Sequence, residues 1–136
     1  MSFGFGVGDF ITISTLAVKV ITAYKDAPSE YKNISEEVKS LHIIINRGVK
    51  HFERLSPCEG EWQEGMEILQ GCQSVLEDLD ALIEKYQGLA SVNKRQVFAR
   101  VKIGMEDITA LRTRLISNTT LLNSFIQRFV PPHAYL

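Results

Sequence analysis

Three histidines, two cysteines and several adjacent carboxylates are the residues of this chain whose types could support catalysis or metal binding. His42 and His51 are nine residues apart, about 180° around a helix of about 3.6 residues per turn, so they cannot share a ligand. His133 lies in the tail, and no His-x-x-x-His or Glu-x-x-His pair places two metal ligands on one helix face. Carboxylates adjoin at Glu36-Glu37, Glu77-Asp78 with Asp80, and Glu106-Asp107, each on the polar side of a helical pattern, where solvation is their ordinary role. Gly4, Gly6 and Gly8 mimic a phosphate loop in composition only, because no strand precedes them and no Lys-Ser/Thr follows. No Gly-x-Ser-x-Gly elbow or supported Cys/His arrangement occurs either. The chain therefore reads as non-enzymatic, with no cofactor and no metal.

The cysteines point the same way. Cys58 falls in a connection and Cys72 about three turns into the following helix, so about 15 to 20 Å separates them, beyond the ~7 Å that a disulfide spans between Cα atoms. Two free thiols are expected, with Cys72 serving as a small core residue.

The elements that must position these residues are helical throughout. The 136 residues, 45% of them hydrophobic, suit one domain that folds alone. Fifteen basic and sixteen acidic residues give a formal net charge of -1, which leaves no positive excess for the phosphates of nucleic acid. Met1 to Asp9 lacks any Lys or Arg, so the secretory pattern is missing and a cytoplasmic location is expected. Ser2 does not fit the myristoylation pattern, and the sequons at Asn33 and Asn118 are chance matches within helical segments.

Spacings of three and four residues define three amphipathic helices. The one over 28–55 carries Tyr31, Ile34, Val38, Leu41, Ile45, Val49 and Phe52, with Asp26 as N-cap and Pro28 in its first turn. Another, over 61–89, carries Trp62, Met66, Leu69, Cys72, Leu76, Leu79, Ile83 and Tyr86, and Gly88 suits its C-terminal stop. The last, over 94–129, begins at an Asn93/Gln96 capping box and carries Val97, Val101, Ile108, Leu111, Leu115, Leu122, Phe125 and Phe129. Asn118 shares that stripe, where it is costly unless paired, and Gly104 marks a bend or a close contact.

The first helix, over 10–24, differs from these. Phe10, Ile11, Ile13, Leu16, Ala17, Val18, Val20 and Ile21 surround it almost completely, and Lys19 is its only charge. Short connections predict an all-α, antiparallel up-down-up-down four-helix bundle over residues 1–130, with this apolar N-terminal helix packed centrally and 131–136 as a tail or linker. As a membrane element, 10–24 would span about 22 Å, short of a hydrocarbon core of about 30 Å. Joining Phe3 to Gly8 to the helix would extend it to about 33 Å, against the helix-opposing tendency of three glycines. The apolar residues Ile43, Ile44 and Val75 fall outside the main stripes and are candidates for self-association, as a dimer or higher oligomer.

Three stretches carry a resemblance: Met1 to Phe10, Tyr31 to Leu41, and Leu111-Arg-Thr-Arg-Leu115 to Leu121-Leu-Asn-Ser-Phe125. Together they look like the N-terminal domain of fungal STAND proteins, the HeLo-like group that precedes NACHT or ankyrin modules in NLR-type receptors. The resemblance spans Met1 to about Phe129. It implies a non-catalytic signalling domain in innate immunity, programmed cell death or allorecognition, which oligomerises on activation and turns its N-terminal helix on the membrane. That role would map to Phe3, Phe5, Val7, Phe10, Ile11, Ile13, Leu16, Val18 and Val20, with membrane lipids as partners only after activation. The alternative is a homotypic interaction or scaffold domain that never touches lipid.

Overall fold

The computed structural model describes residues 7–25, 29–50, 59–89 and 105–129. Four helices occupy these segments: α1 (Val7–Tyr24), α2 (Ser29–Lys50), α3 (Glu59–Leu89) and α4 (Met105–Phe129). They pack against one another as a helical bundle. Each helix has two principal neighbours: α1 lies on α2 and α3, and α4 lies on the same two. The bundle is thus two layers, α1 beside α2 and α3 beside α4, stacked with α1 on α3 and α2 on α4. Consecutive α2 and α3 are not principal neighbours, so the short connection between them does not make them a packed pair.

The three-four spacing carries over directly into burial. Phe10, Ile13, Ala17, Val20 and Tyr24 form the buried stripe of α1, and Ile34, Val38, Leu41 and Ile45 that of α2. The stripe of α3, the longest helix, takes in Ile68, Leu69, Cys72, Val75, Leu76, Leu79 and Ile83. From α4 come Ile108, Leu111, Leu115, Leu122, Phe125 and Ile126. Side chains buried on this pattern contribute about 1.5–3 kcal/mol each relative to exposure, far more than any pair of surface charges.

Two expectations change. The first helix is not covered all round: Ile11 is 51% and Val18 47% exposed, and Val7 also faces outward. An all-round apolar helix can have only one stripe against two neighbours in a layered bundle, and the opposite side is left out. Val75, expected on the outside, is fully buried, because it stands three residues after Cys72 and four before Leu79 and so shares their side of α3. The first helix also starts earlier than its pattern suggests, at Val7, and includes Gly8. Asp26, Pro28, Phe52, Asn93, Gln96, Val97, Val101 and Gly104 lie outside the described residues, as do the side chains of Tyr31, Tyr86 and Phe129, and Gly88 falls inside the last turn of α3, which ends at Leu89.

Two glycines explain how closely the helices approach. A Cβ built on Gly48 would lie 2.6 Å from Phe10 Cε1 and 3.1 Å from Ile126 Cδ1, so α1, α2 and α4 meet at a position where no side chain fits. At Gly71 a Cβ would strike the Asn118 side chain, whose amide nitrogen donates to the Arg114 carbonyl at 2.8 Å. Half-buried at the α3–α4 seam, Asn118 thus pairs with its own helix while its side chain occupies the space that Gly71 leaves open. Polar contacts then lace the helices, within a layer and between layers. Arg112 donates to both Glu37 oxygens at 2.9 and 2.8 Å between α4 and α2, and Arg114 reaches Asp78 at 2.8 Å between α4 and α3.

Gly48→Ala should lower stability by about 1–2 kcal/mol in denaturant titration, since overpacking against the Phe10 ring outweighs the ~1 kcal/mol gained in helix propensity. Gly8→Ala, with nothing within 4 Å of the new methyl group, should leave stability unchanged or raise it. Burial also pushes the Cys72 thiol up to about 12, so its reactive thiolate is suppressed. Peptide mapping after brief iodoacetamide treatment should find Cys72 unmodified in the native protein and fully modified in denaturant.

Candidate functional site

Helix α1 presents two chemically different faces. Its inner stripe ends at Tyr24, whose hydroxyl donates to the Leu79 carbonyl of α3 at 2.9 Å, and burial pushes that phenol's pKa up. Toward α2, the buried Ser35 hydroxyl donates to the Ile21 carbonyl at 3.3 Å. Ser14 donates to Asn46 Oδ1 at 3.4 Å, and with that proton so directed the His42 Nε2–H donates to Ser14 Oγ at 2.9 Å. His42 is therefore occupied in the α1–α2 seam, and among the described residues no group of three His, Cys, Asp or Glu could hold a metal ion.

The outer face is built from Val7, Ile11, Thr12, Thr15, Val18 and Thr22, with no charge on it apart from Lys19 at its edge. Its threonine hydroxyls are turned inward. Thr12 donates to Gly8 O at 2.9 Å, Thr15 to Ile11 O at 3.0 Å and Thr22 to Val18 O at 2.9 Å, each one helical turn back. A hydroxyl satisfied by its own helix makes no demand on a neighbour and leaves the threonine methyl to face outward. The face is thus more apolar than its composition suggests. Lys19 is taken up by α3, 3.0 Å from Asp80 and 3.2 Å from Glu84, and the hydrogen bond to Asp80 is the main reason its pKa is raised.

The membrane candidates divide between these two faces. Phe10, Ile13 and Val20 are buried, Leu16 is half-buried against the core, and Val7, Ile11 and Val18 are exposed. Phe3 and Phe5 lie outside the described residues, as do His51, His133 and Cys58. As a helix of 18 residues, α1 spans about 27 Å and is, by length and composition alone, apolar enough to cross a membrane. Of the self-association candidates, Ile43 is 60% exposed on α2, Ile44 packs partly into the core, and Val75 is inaccessible. Ile116 and Leu121 on α4 are exposed apolar residues that the sequence pattern did not single out. They adjoin buried Leu115 and Leu122, and a stripe count absorbs them.

What holds α1 is its buried stripe. Four large side chains at about 2 kcal/mol each amount to about 8 kcal/mol, and an exposed ion pair such as that of Lys19 adds little. Phe10→Ala should therefore cost about 3–5 kcal/mol and Tyr24→Phe about 1 kcal/mol in denaturant titration, with Lys19→Ala close to wild type.

No family model matches the chain, and no curated protein or solved structure matches it.

Proposed function

We propose that this chain is the non-catalytic N-terminal signalling domain of a STAND or NLR-type receptor of the kind found in fungi. In this reading the domain rests as a cytoplasmic bundle, oligomerises on activation and acts on membrane lipids through α1, in cell death or allorecognition. A downstream NACHT or ankyrin-type module would bring copies together. The observation that carries the reading is the two-faced character of α1. It is apolar all round, yet only one stripe is buried, and its outer hydroxyls are satisfied within the helix. Such a helix can exchange one apolar surrounding for another without exposing unsatisfied polar groups.

The same reading takes the bundle as antiparallel, up-down-up-down. Supporting it, Ser14 meets Asn46 while Ile21 meets Ser35, so numbering runs in opposite senses along α1 and α2. Cys72 meets Asn118 while Asp78 meets Arg114, the same opposition between α3 and α4. A central, fully covered position for α1 belongs to the assembled state, where another molecule covers Ile11 and Val18.

A scaffold function without lipid contact is the second reading, favoured by Ile43, Ile116 and Leu121, which are exposed away from α1. Dye release separates the two. Protein clustered through a C-terminal coiled-coil fusion should empty vesicles of mixed zwitterionic and anionic phospholipid, and Ile11→Glu/Val18→Glu should reduce release at least tenfold with unchanged helicity by circular dichroism. Intact vesicles with clustered wild-type protein would remove the membrane reading and leave the scaffold.

A further inference from the structure

The two layers of the bundle differ in charge. Helices α1 and α2 carry four acidic and five basic residues, whereas α3 alone carries eight carboxylates against the single Lys85. The basic groups offset this only in part: Arg114 pairs with Asp78, Arg128 with Glu64 and Lys19 of α1 with Asp80 and Glu84, while Arg112 is bonded to Glu37 of α2. The outward side of the α3/α4 layer is thus acidic, with Glu67 and Glu77 exposed, and it also exposes Leu121. The outward side of the α1/α2 layer has Lys25 and Lys50, with Lys39 paired to the exposed Glu36 at 3.2 Å, and it exposes Ile43 and Val18.

We propose that these two sides bind each other: the α1/α2 side of one copy docks on the α3/α4 side of the next. The occupant of each surface is a second copy of this chain. Opposite charge on the rims selects this pairing, because two α3/α4 sides would oppose carboxylates to carboxylates, and the exposed apolar residues supply the area excluded from water. The two sides lie on opposite faces of one molecule, so the contact is head to tail and does not close after two copies. It extends into a chain of bundles. No helix has to leave its core for this to happen, and each added copy covers the outer face of α1. The inference rests on the self-association part of the proposed function and is independent of its membrane part.

Two surface variants test it, each intended to block one side only. Ile43→Glu places a carboxylate on the α1/α2 side, and Glu67→Lys/Glu77→Lys reverses the charge of the α3/α4 side; all three positions are exposed, and circular dichroism verifies the fold. In sedimentation velocity the wild type should grow past the dimer with concentration and shrink with added salt. Each variant alone should be monomeric. Mixed in equal amounts they should form a 1:1 heterodimer and nothing larger, because one intact side remains on each. A dimer formed by either variant alone shows a self-paired contact and overturns the inference while leaving oligomerisation in place. A mixture that stays monomeric, or a wild type that never associates, overturns it as well. Dye release remains a separate measurement, so loss of the membrane reading would not be mistaken for loss of this one.

Discussion

The missing side chain at Gly48 lets three helices meet. Phe10 of α1 lies against the bare backbone of α2 there, with Ile126 of α4 closing the same notch, and a methyl group in that place would overlap the Phe10 ring. Glycine within a helix costs about 1 kcal/mol relative to alanine, so its presence has to be offset by what it permits. What it permits is the full burial of the largest apolar side chain at the start of α1. From that anchor the stripe of Ile13, Ala17, Val20 and Tyr24 follows along α2 and α3, and the small residues Ala17 and Ser35 let the backbones remain close.

This anchor sets a limit on what α1 can do. Stripping its buried stripe from the core costs on the order of 8 kcal/mol, which is comparable to the entire stability of a domain of this size. Weak polar contacts such as Lys19 with Asp80 and Glu84 cannot act as the restraint, since their loss changes little by comparison. A helix so held does not swing out spontaneously while the rest stays folded. Its release must be coupled to a process that returns a similar amount of free energy, such as apolar burial in lipid or between many copies.

Much of this core was legible from spacing alone. Ile34, Val38, Leu41 and Ile45, and likewise Leu69, Cys72, Leu76, Leu79 and Ile83, are buried where a three-four count places them, because each helix meets the core along one side. Val75, set outside the main stripe, stands three residues after Cys72 and four before Leu79, so the same count properly applied puts it among them. The count fails where geometry adds information that period does not contain. Ile11 and Val18 are exposed because an all-round apolar pattern says that either side of α1 suits the core, without saying which is chosen. Gly48 and Gly71 are contact sites that a count of apolar residues does not register, although a helix-interior glycine is itself a signal that something lies close.

The outer surface was the least legible part, and the reason is chemical. Threonine is polar in any count of residues, yet Thr12, Thr15 and Thr22 return their hydroxyls to the backbone one turn back and leave methyl groups outward. A face that reads as mixed in sequence is therefore nearly apolar in structure. The cost of keeping it in water is modest for one molecule, because the exposed residues Val7, Ile11 and Val18 are few and set among small side chains. In the proposed assembly the same face would be covered once per copy while the internal stripe stays in place. Such an assembly would draw on the outer face first. The anchored inner stripe becomes available only to a partner that offers about as much burial as the bundle already provides.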